Sequence, residues 1–498
     1  MDTQITVNDT SQDEIDALMR TVAEAAPLLA ATSRVERSAA LRAIADDLDA
    51  ARDELVQLAM EETHLPQARL EGEVGRTTGQ LRMFADGLDE DGLAEIIIDT
   101  ADPQAAPVPR PDLRRMQVPL GPVVNFAASN FPFAFSVAGG DTAAALAAGC
   151  PVVVKAHPGH PRTSVRTGEV VGQALQRAGL PDGSFRLVHG REAGVAVLRH
   201  PVIKAGAFTG SIPGGRALFD IAVSREKPIP FYAEMGSLNP SFVTPAAAEA
   251  RTEEIAAGFL ESFTLGVGQF CTKPGFLFIP RGSGLKQAIT DAATGRSGGR
   301  MLMPRIFEGH QEVLEQLSAR PGVEVLVRGG ADAAQGSAAP NVLGTDVEHL
   351  VSDADALQTE CFGPTTVLVE YDALEDAVRG ARSMHGNLTA TVQGEAEDAE
   401  DAVVTELVRV LSDRAGRVLW NGWPTGVAVS WAQHHGGPYP ATTVPAYTSV
   451  GMTAVRRFQR PVVYQDLPQD ALPPELRDAN PDGVVRRIDS RLTTENVA

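Results

Sequence analysis

Between residues 136 and 233, segments of helical length alternate four times with short apolar runs. Helical spacing covers about 136–148, 163–178, 192–199 and 214–222. The runs that follow are Val152–Ala156, Phe185–Val188, Ile203–Phe208 and Ile229–Ala233. This alternation admits few folds. It predicts a parallel sheet joined by right-handed helical crossovers. Such sheets bind ligands beyond the carboxyl ends of their strands. No Gly-x-Gly-x-x-Gly follows any of these strands, so the common dinucleotide fingerprint is absent. The fold class is therefore α/β.

The flanks extend the pattern. Residues 11–86 read as helices, with capping-box spacing at Ser11/Glu14 and Ser33/Glu36. One run, Ala39 to Met60, carries Leu41, Ile44, Leu48, Leu55 and Leu58, and Pro66 ends it. The charged faces read as solvated surface. Four prolines between 103 and 111 break the helical pattern, and two short strands follow around Pro119–Pro122. A second alternating region spans about 237–425. Its expected strands are Gly275–Ile279, Val323–Val327, Thr365–Glu370 and Thr389–Val392, with a helix over 249–265 leading into Cys271. Residues 297–340 show no sharp pattern beyond one strand. Residues 421–448 read as loop, and 461–498 as an extended tail.

Totals narrow the function. A chain of 498 residues exceeds one core, so two or three domains are expected. The net charge of −21 is unlike that of a nucleic-acid or anionic-membrane binder. Three cysteines, Cys150, Cys271 and Cys361, fit a reducing compartment and offer no paired metal motif. Residues 1–5 lack the pattern of a secretory leader, and the apolar stretch 133–154 is broken by Gly139, Gly140, Asp141 and Pro151. A cytoplasmic protein with no membrane, nucleic-acid or metal partner is expected.

Four stretches carry candidate chemistry: Asn130 within Phe126-Ala-Ala-Ser-Asn-Phe-Pro-Phe-Ala-Phe, Lys155 within Val153-Val-Lys-Ala-His-Pro, Glu234 within Ala233-Glu-Met-Gly-Ser-Leu-Asn-Pro, and Cys271 within Val267-Gly-Gln-Phe-Cys-Thr-Lys-Pro-Gly-Phe. Each alone has a plain structural reading: a turn amide, a surface lysine, a satisfied carboxylate, a buried thiol. Together with Phe208-Thr-Gly-Ser-Ile, Glu360-Cys-Phe-Gly-Pro and Trp420-Asn-Gly-Trp-Pro-Thr-Gly, in this order over nearly the whole chain, they resemble the NAD(P)-dependent aldehyde dehydrogenases. Within that superfamily, Asn130-Phe-Pro-Phe-Ala-Phe-Ser-Val-Ala-Gly-Gly-Asp-Thr and His434-His-Gly-Gly-Pro-Tyr-Pro-Ala-Thr are similar to the α-ketoglutarate semialdehyde (2,5-dioxovalerate) dehydrogenases. They are also similar to NADP-using fatty aldehyde dehydrogenases.

The resemblance implies a Rossmann-type cofactor domain over 1–111 and 124–235, and a catalytic domain over 236–435. It also implies an oligomerisation segment over 112–123 with 452–464, a C-terminal tail over 465–498, and a homodimer or homotetramer. It implies that Cys271 attacks an aldehyde, Asn130 steadies the oxyanion and Glu234 activates water. Such a thiolate turns a carbonyl into a hydride-donating alkoxide, which explains the need for a nucleophile, donors and a base together.

Lys155 and the Gly210-Ser211 turn suit a ribose and a pyrophosphate, and Glu360, followed by Cys361 and Phe362, suits the nicotinamide ribose. Pro158, beside His157, stands where NAD-preferring relatives often carry a glutamate, so NADP or NAD is expected, with NADP accepted. Arg191 is either a phosphate partner or a solvated surface residue. Phe131, Phe133, Phe135, Phe270, Thr272 and Trp431 are either a substrate pocket or packing. His434 or His435 either moves protons near Cys271 or shapes a turn. No cation for a substrate carboxylate is identifiable. The alternatives to a keto-semialdehyde enzyme are a medium- or long-chain aliphatic aldehyde dehydrogenase and a thiol acyl-transfer enzyme without hydride chemistry.

Overall fold

The computed structural model describes residues 7–90 and 93–497; the N-terminal stretch read for a leader lies outside them. The expected parallel sheet is present. Its five strands lie in the order Phe185–Val188, Val152–Lys155, Val123–Phe126, Ala205–Thr209, Phe231–Glu234, all parallel. Chain order reverses on either side of Val123–Phe126, which opens a crevice at the carboxyl ends. Val152, Val153 and Val154 are all fully buried, because helices cover both faces. Each such side chain contributes roughly 1.5–3 kcal/mol by leaving water.

Helices Gln12–Ala30, Arg34–Ala50, Arg52–Thr63 and Gln67–Asp89 precede it. Both capping boxes form as their spacing predicts. The single helix expected over 39–60 is two, parted at Ala51, which leaves Leu48 and Leu55 both facing the core. The helix expected from 136 begins at Gly140. Before it the chain turns tightly, and a side chain at Gly139 would strike the Ala134 carbonyl at 2.4 Å. One expectation is overturned on Gln67–Asp89. Glu73 on this helix is buried and Arg69 and Arg76 lie largely out of solvent, packed toward the loop at 130–135 rather than solvated.

The second sheet has seven strands: Glu324–Val327, Asn341–Asp346, Thr365–Tyr371, Phe276–Pro280, Ser241–Val243, Asn387–Gln393 and Ala415–Trp420. All pairs are parallel except the first. Residues 297–340, patternless in the sequence, contain a helix over Pro304–Ser318 that opens with proline at its first turn. The tail neither frays nor stays a plain extended strand. Gln459–Gln465 pairs with Leu113–Pro119, and Arg486–Ile488 and Arg491–Thr493 complete a third sheet with Ile97–Asp99. Among the described residues no helix is long and apolar enough to cross a membrane.

Candidate active site

Cys271 lies between the two parallel sheets, in the segment that joins the helix Thr252–Thr264 to the strand Phe276–Pro280. The chain reaches it through three consecutive left-handed residues, Gly266, Val267 and Gly268, with φ of 56°, 59° and 66°. Glycine tolerates this region; β-branched Val267 is strained there. A side chain at Gly268 would lie 2.2 Å from the Gly363 carbonyl oxygen, so the nucleophile segment and the Glu360 segment touch backbone to backbone. Lys273, buried, ties them further: its Nζ donates to the carbonyls of Cys361 (2.7 Å) and Thr365 (2.8 Å).

Asn239 fixes the same segment from the other side. Its Nδ2 donates to the carbonyls of Cys271 (2.8 Å) and Lys273 (2.9 Å), while its Oδ1 accepts from Thr389 Oγ1 (2.9 Å) and Ser237 Oγ (2.8 Å). Asn130 meets the segment across the crevice, its Nδ2 donating to the Gln269 carbonyl at 3.0 Å. Its loop is held by the helix Gln67–Asp89: Arg69 donates to the Asn130 carbonyl (2.9 Å), and Glu73 Oε1 accepts from the amides of Phe133 (2.8 Å) and Ala134 (3.0 Å).

Glu234, the last residue of its strand, is buried and reaches the same point. His435 stands between it and the thiol, with Nε2 3.5 Å from Cys271 Sγ and 3.4 Å from Glu234 Oε2. His435 is buried and braced at its backbone by Thr448 and Ser449. Of the two histidines left open by the sequence, this one faces the thiol. Burial, then the negative charges of Glu234 and Glu360, push the Cys271 thiol well above its ordinary value; the positive charge of Arg76 opposes them. The ligand atoms of Glu234, Cys271 and His435 lie within 4.8 Å of one another, a spacing a metal ion can use. Arg76 and Arg417 both direct positive charge at Cys271, which disfavours a divalent cation there.

The cofactor-side residues cluster at the carboxyl ends of the five-stranded sheet. Lys155 ends its strand, and its side chain makes no hydrogen bond among the described residues, although burial pulls its ammonium below the ordinary range. Gly210 and Ser211 are exposed at the amino end of the helix Ile212–Val223, where Ser211 accepts from the Gly214 amide. Glu360 extends over Gly236: a side chain there would lie 2.1 Å from Glu360 Oε2. Burial raises the Glu360 carboxyl to about 7, with Lys273 opposing. A free half-buried cation, an exposed helix N-terminus and a carboxylate over a bare glycine form a cradle that fits a dinucleotide.

His157 is held neutral by burial and accepts from the Gly159 amide beside Pro158. Arg191 opens its helix, exposed. Two residues missed in the sequence act here. The charge of Arg305 reaches both Lys155 and His157, and Asp9 presents a carboxylate to Lys155.

The aromatic set divides. Phe131 and Phe270 meet edge to face at 5.3 Å, Phe131 and Phe135 at 5.1 Å. Phe133 packs instead into the main hydrophobic core, with Leu81 and Phe84. Thr272 is buried behind Cys271, Phe362 is half-buried, and Trp431 is 46% exposed on its loop.

A model of the aldehyde dehydrogenase family matches residues 2–438. The chain is 46% identical over 460 residues to alpha-ketoglutaric semialdehyde dehydrogenase 2 of Azospirillum brasilense, covering 91% of this chain and 87% of that one. It is 41% identical over 484 residues to alpha-ketoglutaric semialdehyde dehydrogenase of Acinetobacter baylyi, covering 97% and 92%. Among solved structures it is similar to aldehyde dehydrogenase 21 of Physcomitrella patens, in complex with the reaction product succinate, with a TM-score of 0.78 at 22% identity over 95% and 94% of the two chains.

Proposed function

The chain belongs to the aldehyde dehydrogenase family, and from that membership we propose that it oxidises α-ketoglutarate semialdehyde to α-ketoglutarate. It is an NAD(P)-dependent oxidoreductase acting on aldehydes. The observation that carries the residue assignment is the contact of His435 with both Cys271 Sγ and the buried Glu234, with the Asn130 amide on the Gln269 carbonyl of the same segment. The substrate is carried over from the names of the relatives at 46% and 41% identity.

Cys271, as thiolate, attacks the aldehyde carbon. Asn130 Nδ2 and the Cys271 backbone N–H receive the resulting oxyanion, each donor lowering the barrier by about 2.7–4 kcal/mol. The nicotinamide, when bound, supplies the hydride acceptor. Loss of hydride leaves a thioester on Cys271. Glu234 then takes a proton from water, which attacks the thioester carbon and releases the carboxylate and the thiolate. His435, in contact with both Sγ and Glu234, carries the thiol proton away at the start and returns it at the end.

Lys155 holds the adenosine ribose, the Gly210-Ser211 turn the pyrophosphate, and Glu360 the nicotinamide ribose. NADP is accepted, because Pro158 replaces an acid and Lys155, Arg305 and Arg191 bring three cations to that end against Asp9. Residues 1–111 with 124–235 form the cofactor unit and 236–435 the catalytic unit. Residues 112–123 with 452–464 form the contact of a homodimer or homotetramer.

The test is reduced-cofactor formation from the keto-semialdehyde and from a long aliphatic aldehyde, each with NAD and with NADP, against Cys271→Ser. Turnover of the keto-semialdehyde, lost in Cys271→Ser, is expected. Turnover of the aliphatic aldehyde alone overturns the substrate. NADP binding far weaker than NAD, unaffected by Arg191→Ala or Arg305→Ala, overturns the cofactor reading.

A further inference from the structure

We propose that Arg76 is an anion receptor in the substrate pocket and selects aldehydes that carry a carboxylate at their far end. This rests on Cys271 as the nucleophile and gives its substrate class a physical basis.

Arg76 lies on the inward face of the helix Gln67–Asp89, three residues after Glu73 and seven after Arg69. Its guanidinium carbon stands 5.3 Å from the centroid of Phe135 and 5.9 Å from that of Phe131. Both rings lead to the chemistry. Phe131 packs at 5.3 Å on Phe270, the residue before Cys271, and Phe135 lies 6.3 Å from His435, which touches the thiol. The charge of Arg76 accordingly acts on Cys271.

A guanidinium brings five N–H donors in a planar fork. In Arg76 both Nε and Nη2 are buried and without a hydrogen-bond partner among the described residues. Of its charged neighbours, Glu73 acts on it through charge but gives it no hydrogen bond, and the cations bond elsewhere. Arg69 donates to the Asn130 carbonyl and faces Glu73 at 3.8 Å. Glu73 Oε1 accepts from two backbone amides, while its Oε2 is buried and accepts no hydrogen bond among the described residues, so the guanidinium of Arg76 feels its charge without being hydrogen-bonded by it. Arg417, the other cation whose charge reaches Cys271, gives its terminal nitrogens to the carbonyls of Gly426 (2.9 Å) and Pro424 (2.8 Å). Arg69 and Arg76 (+2) against Glu73 (−1) leave one positive charge on this face, and Arg76 is the cation whose Nε and Nη2 have no hydrogen-bond partner among the described residues.

Buried donors without acceptors are costly, and a carboxylate matches the fork in two parallel hydrogen bonds. Aromatic walls between thiol and cation suit a short aliphatic chain. An aldehyde ending in a carboxylate fills both; an uncharged aldehyde leaves the guanidinium unpaired.

The experiment compares wild type, Arg76→Met and Arg76→Lys on α-ketoglutarate semialdehyde and on pentanal, with thermal melts to establish folding. The ratio of kcat/KM for the two substrates should fall by roughly 10–100-fold in Arg76→Met, mostly through KM, and less in Arg76→Lys. An unchanged ratio overturns the proposal. A second readout is independent of the substrate assignment: protection of Cys271 from iodoacetamide by glutarate. Protection in wild type that disappears in Arg76→Met supports the receptor even where the keto-semialdehyde is not oxidised, in which case only the substrate reading falls. Protection equal in both proteins, or absent from wild type, overturns it.

Discussion

The two parallel sheets treat their polar residues in opposite ways. At the carboxyl ends of the five-stranded sheet, the Lys155 side chain has no hydrogen bond among the described residues, and Gly210, Ser211 and Arg191 face solvent. At the amino ends of strands in the seven-stranded sheet, Asn239, Lys273 and Asn387 are buried and hydrogen-bonded to neighbouring segments, among them that of Cys271. One region keeps its hydrogen-bonding capacity for a ligand. The other uses it to hold a sulfur atom in place. Precision therefore resides on the thiol side, where near-ångström errors are most costly, and adaptability on the cofactor side.

The contrast predicts unequal sensitivities. The largest effect should follow Asn239→Ala, which unpairs the carbonyls of Cys271 and Lys273 at once. Stability should fall by about 2–4 kcal/mol in denaturant unfolding, with activity down at least a hundredfold. Asn130→Ala comes next: kcat should drop roughly 10²–10³-fold while the melting curve stays near that of wild type, because only one donor is lost. Lys155→Met should raise the cofactor KM about tenfold with kcat retained, since among the described residues no group hydrogen-bonds to its side chain. Equal losses of stability in Asn239→Ala and Lys155→Met would erase the distinction between the sheets.

The smallest effect is one of pH. Glu360 titrates at about 7, so its charged form, the better acceptor for a ribose hydroxyl, appears as pH rises through that value. Cofactor affinity should tighten between pH 6 and pH 8 by calorimetric titration, and Glu360→Gln should flatten that dependence. The stability sign runs the other way. Between 4.5 and about 7 the folded chain holds a proton that the unfolded chain has released, so the contribution of this group to folding declines as pH rises through that window.

Much of this was legible in the sequence, for identifiable reasons. The five-stranded sheet declares itself because each strand is a short all-apolar run bounded by helices. Asn130, Glu234 and Cys271 stand in ordered motifs. The strand Asn341–Asp346 was not visible. Its polar ends and Gly344 hide a segment whose burial comes from the neighbours at Thr365–Tyr371 and Glu324–Val327. His434 and His435 are indistinguishable on an extended loop, where adjacent side chains point opposite ways; only the brace from Thr448 decides which one faces the thiol. Arg76 looked like one more charge on a helix. Its spacing of three and seven from Glu73 and Arg69 marks a shared face, but that this face turns inward is set by the loop at 130–135 packing on it.

The pairing of Leu113–Pro119 with Gln459–Gln465 has a bearing on synthesis. Asp112 and Asp466, which close that ladder, are 354 residues apart. At ribosomal rates of about 5–20 residues per second, the earlier strand waits roughly 20–70 s for its partner to emerge. Through that interval a strand edge stands open, for most of it beside the complete five-stranded sheet. Arg114 and Arg115 lie on it, charges of the kind that discourage pairing with the wrong chain. Arg114 has Asp112 beside it from the start, but meets Asp478 and the Leu476 carbonyl only when the later segment folds over it. The strand at Leu113–Pro119 is thus sealed only by residues made several hundred positions later.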